Sequence, residues 1–346
     1  MKDARDAYPV PAVLNLVVLF SSLTLALMSL SFASHAYRSG NWFGVMSCAL
    51  LFSFVNNTTF SLLHESVHGV MNSNRKLNDS IGWVTAAFFP TTFTLQQVFH
   101  LGHHCRNRTD AEMFDLYYPH DNVPLKRLVI YSMPSGFYWL SVVAGNIVFL
   151  ISPWLFKLKI VRNSSIMKYS SFDAMLSGIP ESRTIITRIR QQILLTIVIQ
   201  ACILYFLEVA PLAWLCCYWF FGMNWGSLQY SNHAFSKRDI RHGAWNLRVN
   251  PVVRLVFLNY HCHLAHHQHP NVPWIYLTGF VKKSEERPLF WGNLFKLVGG
   301  PYPVSEPPPK PADGFDKVIY EGTSIARPVP DPKEPAADFQ SVPASE

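Results

Sequence analysis

Apolar residues along this chain gather into long blocks; they neither alternate as in strands nor recur in narrow amphipathic stripes. Residues 11–33 form an unbroken block, long enough to cross a bilayer as a helix, which takes about 20 residues. A second block, 42–63, follows the short polar link Arg38-Ser39-Gly40-Asn41, and the pair predicts a transmembrane hairpin. Residues 81–99 are apolar too, but Pro90 and a Thr-rich centre weaken a simple spanning helix there. Further blocks lie at 135–155, 193–208 and 211–228, the last two parted by Pro211, and no internal repeat is evident. The expected fold class is all-α, a multi-spanning transmembrane helical bundle with about four to six membrane segments.

Composition agrees with the blocks. Of 346 residues, 49% are hydrophobic and 15% charged, where an ordinary soluble domain carries about 25% charged residues. Lys plus Arg (29) exceed Asp plus Glu (22), a net +7 that suits a nucleic-acid binder or a membrane protein. Placement separates the two. Residues 301–346 hold four basic and eight acidic residues, so residues 1–300 carry +11, with their basic residues beside the apolar blocks. Nucleic acid is therefore not an expected partner. The last 46 residues also hold 11 of the 24 prolines; such an end buries too little apolar surface to offset its ordering entropy. The expected division is a membrane domain over 1–300 and a Pro-rich, acidic, disordered tail over 301–346, with Pro307-Pro308-Pro309 as a spacer. The six cysteines include no CxxC pair and read as free thiols. The opening MKDARDAYPV lacks the basic start and cleavage site of a signal peptide, so the first block is expected to stay in the mature chain.

Histidine supplies the chemistry. His64 and His68 in HESVH are spaced i, i+4, hence on one helical face; His100, His103 and His104 in HLGHH, and His263, His266 and His267 in HLAHH, are spaced i, i+3, i+4. With the flanking His261 and His269, ten of the 14 histidines fall in three runs adjoining apolar blocks, and His233 follows the last block. An isolated histidine is ordinarily a core or surface residue, and His35, His120 and His242 are read as ordinary loop residues. Three same-face clusters are different, because helical spacing of this kind aims two or three imidazole nitrogens at a common point, and imidazole binds iron, zinc and copper. Eight or nine such ligands exceed what one metal uses, which implies two.

The clusters also expose a conflict of topology. If all three face one aqueous side, the chain crosses an even number of times between the second and the third, yet three apolar blocks lie there. Loop 156–190 carries seven basic residues against two acidic, which makes it cytosolic by positive-inside counting. That favours 193–228 as a tight hairpin with 135–155 re-entrant or folded back. The alternative takes 193–228 as one long helix and puts the basic loop outside.

HxxxH at His64 to His68 and HxxHH at His100 to His104 and at His263 to His267 resemble the three histidine boxes of the membrane-bound fatty acid desaturase and hydroxylase superfamily. HHQHPNVPWIYL after the third box is similar to the HHxxPxVPWxxL ending of many lipid desaturases, and the resemblance runs from about residue 11 to 280. It implies a helical stalk under a cytosolic histidine-box cap enclosing two non-haem iron ions. The implied ligands are His64, His68, His100, His103, His104, His263, His266 and His267, with His233 as the lone histidine ahead of box three and Gln229 four positions earlier. His261 and His269 are expected to support ligands by hydrogen bonding, and Glu65, Asp110 and Asp239 are candidate carboxylates for orienting imidazoles. No catalytic residue is expected beyond the metal ligands. The implied activity is O2-dependent desaturation of a fatty acyl chain or lipid by an integral, multi-pass membrane oxidoreductase. The chain has no HPGG, CxxC or GxGxxG signature, so electrons would come from an external donor of the ferredoxin or cytochrome b5 type.

Within the superfamily the alternative is a hydroxylase or ketolase of a lipid or carotenoid. From another class comes a membrane zinc protease, since HESVH is also HExxH. That protease needs one further acidic ligand from a distant apolar segment, and only Glu208 offers one.

Overall fold

The first two apolar blocks fold as α1 (Ala12–Arg38) and α2 (Trp42–His68), both longer than the blocks that predict them. His35, expected in a loop, lies in the last turn of α1, because the helix runs on through its polar end. α2 continues past the apolar block, so His64 and His68 occupy its final turns, and Gly69 in the left-handed conformation (φ 70°) stops it. The computed structural model describes residues 8–177, 179 and 183–311, and the statements that follow concern these.

The block at 81–99 is broken in two, as Pro90 suggests: α3 (Arg75–Phe88) descends, residues 89–92 turn, and α4 (Phe93–Arg106) returns, its start capped by the Thr92 side chain accepting from the Leu95 amide. α4 carries the second histidine box. Beyond it, α5 (Val123–Ser132) and α6 (Phe137–Ile151) meet at a bend of 85°. At 15 residues, α6 is too short to cross a bilayer by itself. The Trp139 indole donates to the Phe89 carbonyl and the Asn146 amide to that of Pro90, so α6 leans on the α3–α4 turn.

Three short helices (Lys159–Arg162, Ser165–Tyr169, Phe172–Ser177) lead to α7 (Arg183–Phe206), and α8 (Pro211–Ser231) runs back to His233. The single long helix considered for 193–228 is therefore not what forms. The chain turns at 207–210, with Glu208 in the left-handed region (φ 47°) and Pro211 starting the new helix. Gln200 donates to the Tyr218 hydroxyl and accepts from the Trp214 indole, pinning α7 to α8. The Ser34 hydroxyl accepts from the Ala210 amide, which places this turn beside the far end of α1.

α1, α2, α7 and α8 thus run between one end that bears the histidines and another that bears the turns. α2 is the central rod, packed between α1 and α8, with Phe52 against Tyr218 and the Thr59 hydroxyl donating to that of Ser22. Three helices (α1, α2, α7) are long and apolar enough to cross a membrane, or four if the bent α5–α6 pair is counted as one span. After α8 come α9 (Pro251–Val256), α10 (His263–Gln268) with the third box, and α11 (Phe290–Val298). Residues expected to begin a loose tail instead strap the histidine-bearing end. Tyr302–Pro303 (β2) pairs in parallel with Leu116–Tyr117 (β1), and a Glu306 carboxylate oxygen accepts from the Arg238 amide. Residues 312–346, the rest of the expected tail, lie outside the described residues.

Packing of α8 on α5 depends on one missing side chain. A Cβ at Gly226 would meet the Met133 main-chain carbonyl at 2.4 Å, and a backbone atom at a helix end cannot rotate away. Gly226→Ala is expected to destabilise the protein by about 1–3 kcal/mol, seen as a lower apparent melting temperature in detergent with the helical circular dichroism retained.

Candidate metal centre

The final turns of α2, the second half of α4, the second residue after the α8 terminus and α10 converge on one buried volume. Spacing alone suggests that each box aims at a single point; the structure divides the boxes instead. His64, His68, His100 and His266 form one quartet and His103, His233, His263 and His267 another, each with its ligand nitrogens within 4.8 Å of one another. The second box is thus split between His100 and His103, and the third between His266 and the pair His263 and His267. His104 stands at the seam. Its Nε2 lies 3.1 Å from that of His100 and 3.0 Å from that of His266, while its ring centroid is 4.3 Å from that of His267.

The donor set fits a cation, as the hydrogen bonds behind the second quartet show. His233 Nδ1 is 2.9 Å from the Gly243 carbonyl, which can only accept, so His233 carries its proton on Nδ1. His103 Nδ1 lies 2.5 Å from a Glu112 carboxylate oxygen and is likewise the protonated nitrogen. Both Nε2 atoms are left as bare lone pairs, yet they face each other at 3.1 Å, and His263 Nε2 lies 2.9 Å from the same His233 nitrogen. Two lone pairs at that distance repel, and a shared positive ion relieves the repulsion. His64 Nε2 and His267 Nε2 are buried with no hydrogen-bond partner, a state costing about 1–3 kcal/mol each when nothing satisfies it.

Electrostatics keep these rings ready for a metal. Burial, followed by repulsion among neighbouring imidazoles, holds His104, His263, His266 and His267 well below the ordinary imidazole value, so at neutral pH they are uncharged and able to ligate. Burial alone would push the Glu112 carboxyl up, but Arg106 at 2.5 Å and His103 outweigh it and hold the acid below its usual value.

Glu112 is the orienting carboxylate that sequence reasoning missed; it stands on a three-residue turn, Asp110–Glu112, that returns to α4. Of the candidates chosen instead, Asp110 pairs with Arg238 and accepts from the Tyr118 hydroxyl, and Asp239 accepts from the Arg241 and His242 amides. Neither of these contacts involves a box histidine. Glu65 comes nearer, 3.7 Å from His64 Nδ1, while accepting from the Trp274 amide. The Gly243 carbonyl has no side-chain signature to find. His261 is buried with Nε2 3.5 Å from Cys262 Sγ, and His269 packs its ring on Phe280. His120 stacks on Tyr118, and His242 contacts Asp239. The Gln229 side-chain oxygen accepts from the Tyr260 hydroxyl. Glu208, the protease's required ligand, pairs with Arg38 at the opposite end of the stalk and is 79% exposed, out of reach of His64 and His68.

A cleft of about 130 Å³ adjoins the quartets, with His100, His103, His233 and Gln229 in one wall and Phe60, Phe114, Val142, Phe172, Met175 and Trp225 among its apolar lining. Residues 40–285 match the family model described as Fatty acid desaturase. No curated protein matches the chain.

Two outcomes follow from this geometry. Glu112→Ala should weaken metal retention about 10- to 100-fold, read as metal lost per protein during dialysis against a graded chelator, with the helical signal unchanged. The second concerns pH. The buried histidines titrate below the value of 6.5 from which they are displaced, so as pH falls the unfolded chain takes up protons before the folded one. Their contribution to stability is full above 6.5 and lost below it. The metal-free protein should melt at a nearly constant temperature above that pH and at steadily lower temperatures between about pH 6.5 and 5.

Proposed function

The chain belongs to the fatty acid desaturase family, and from that premise we propose that it is an O2-dependent di-iron oxidase that desaturates a fatty acyl chain or lipid with electrons from an external carrier. Membership makes it an oxidoreductase of the desaturase and hydroxylase type, and its long apolar helices make it an integral membrane protein. The observation that carries the finer reading is the shared wall: an apolar cleft is bounded directly by histidines of both quartets.

An unactivated methylene has neither an acidic proton nor a leaving group, so acid-base and nucleophilic chemistry cannot functionalise it. A bound pair of irons would supply O2 reduction to an oxidant able to remove hydrogen from such a carbon. His64, His68, His100 and His266 would hold one ion, and His103, His233, His263 and His267 the other, with His104 at the seam. The chain's own part is placement. Phe60, Phe114, Val142 and Trp225 line an apolar path for an acyl chain and exclude water from its reacting segment. Glu112 and the Gly243 carbonyl keep the protons of His103 and His233 on their outward nitrogens, so the Nε2 atoms of these two remain free to ligate. Removal of a second hydrogen from the adjacent carbon gives the alkene; return of oxygen to the first carbon would give the alcohol.

The topology that serves this reading crosses the bilayer with α1, α2 and α7, takes the 21-residue α8 as the return crossing although its hydropathy is lower than theirs, and leaves the α3–α4 and α5–α6 pairs re-entrant. Two crossings then separate the second box from the third, so all boxes share one side. By positive-inside counting, the basic loop 156–190 supports a cytosolic location for that side, where a ferredoxin or cytochrome b5 type donor could reach it.

Expression in a host of simple lipid profile, followed by mass spectrometry of its lipids, tests the reading. A product lighter by two hydrogens is expected, absent in His103→Ala and His266→Ala, from purified protein holding close to two irons. A product heavier by one oxygen would move the assignment to the hydroxylases, and stoichiometric zinc in place of iron would remove the oxidase reading.

A further inference from the structure

Outside the histidine centre, an apolar surface is left uncovered where the stalk meets the histidine-bearing end. α11 is amphipathic. Asn293, Leu294 and Leu297 are buried, and the Asn293 amide donates to the carbonyls of Ser231 and Ala234 at the end of α8. The opposite face turns outward, with Trp291 63% and Phe295 68% exposed. Beside it, α9 exposes Val252 and Leu255 at 68% and 70%. The two helices are held together through Arg248, whose amide donates to the Pro288 carbonyl and whose carbonyl accepts from the Phe290 amide.

The depth of this surface can be measured along α2. The Thr58 and Ser61 hydroxyls donate to the carbonyls of Val256 and Phe257, fixing the end of α9. Thr58 precedes His68 by ten residues on the same helix, about 15 Å at 1.5 Å per residue. α9 therefore ends beside α2 on the stalk side of the centre, and α11 lies level with His233. On α1, the Asn15 amide donates to the Met71 carbonyl, so Asn15 is level with the first box, and there Val13 is 78% exposed on a helix apolar enough to span. An apolar flank thus reaches the height of the histidines on α1, and on the other side α11 lies at that height while the end of α9 lies deeper along the stalk. Residues 241–298 also carry seven basic residues against two acidic, with Arg248, Arg254 and Lys296 exposed.

We propose that α9 and α11 form one interfacial surface that inserts Val252, Leu255, Trp291 and Phe295 at the boundary between head groups and acyl chains of an anionic leaflet. Its occupant is the lipid surface. The apolar face buries in the outer acyl region, Trp291 takes the position that indoles favour in interfacial belts, and the three cations meet lipid phosphates. The consequence is that the histidine quartets ride level with the head-group layer. This inference is independent of what the centre oxidises, since metal content and lipid products report on the centre separately.

The test uses full-length, metal-loaded protein in phosphatidylcholine–phosphatidylglycerol nanodiscs, with an environment-sensitive fluorophore on Phe295→Cys in a Cys202→Ser background, which removes the exposed native thiol. Lipids brominated near the head of the acyl chain should quench the label by about twofold or more, and aqueous iodide should barely affect it. Val252→Cys reports the same from the other half of the surface and replaces the first variant if that one misfolds. Arg254→Glu with Lys296→Glu should abolish the extra bromolipid quenching seen with phosphatidylglycerol over phosphatidylcholine alone. Iodide quenching without bromolipid quenching would put the surface in water and overturn the proposal. Protection from both quenchers would mean that protein covers it, whether a second copy or residues 312–346, and would overturn it equally.

Discussion

Repulsion between buried imidazole lone pairs is the interaction on which the rest of this structure depends. His103 and His233 each have an Nδ1 engaged by an outward acceptor, and their Nε2 atoms face each other at 3.1 Å. Such an arrangement raises the energy of the protein by itself. A stiff scaffold can hold such a pair, and a cation placed between the lone pairs would relieve the repulsion, which is the logic by which metal-binding energy becomes folding energy. The nine histidines of the two quartets and the seam come from α2, α4, α10 and the residue region after α8, so no pair of neighbouring helices could make this centre without the others.

Stiffness is supplied around the centre by charges that compensate one another away from water. Arg106 and His103 share Glu112, while Arg108 grips Asp115, whose second oxygen accepts from the Phe235 amide two residues after His233. Arg238, almost wholly buried, ties Asp110, the Tyr118 hydroxyl and the Glu306 carbonyl into one knot. Removing one partner of the fully buried Arg108–Asp115 pair would leave an uncompensated charge, which costs about 3–5 kcal/mol; in the knot Asp110 is half-exposed, and the strap at 302–306 is held by the buried Arg238, whose guanidinium donates to the Glu306 carbonyl and whose amide donates to the Glu306 carboxylate. A segment whose prolines and acidic residues mark it as unable to fold alone is thus ordered by a guanidinium and a short backbone pairing that belong to residues far away in sequence.

Local pattern carries information where one physical constraint acts on a whole segment. Hydrophobic blocks located α1, α2, α7 and α8, because a lipid-facing helix must be apolar along its length, and Pro90 marked the α3–α4 turn because proline cannot continue a helix. The helix ends were less legible: α2 runs past its apolar block to His68, since its last turns are buried by other helices and no longer need to match lipid. The choice among Asp110, Glu112 and Asp239 was not legible at all. All three are acidic residues a few positions after a candidate ligand, and only the turn after α4 decides that Glu112 points inward while Asp110 turns to Arg238.

What the sequence by itself determined is the chemistry available: histidines at helical spacing beside apolar blocks, in numbers that suit two metals, within a membrane-embedded helical protein of a recognisable type. Spacing of three and four residues could say that His100, His103 and His104 share a helical face, because that follows from 3.6 residues per turn. It could not say that His100 and His103 diverge to separate quartets, or that His266 parts from His263 and His267. Those assignments depend on where helices distant in sequence cross, and only the packing of α2, α4, α8 and α10 around one volume decides them. The same holds for the protons. At His103 and His233 the nitrogen free to bind is set by the Glu112 carboxylate and the Gly243 carbonyl, and a main-chain acceptor leaves no mark in the sequence that supplies it.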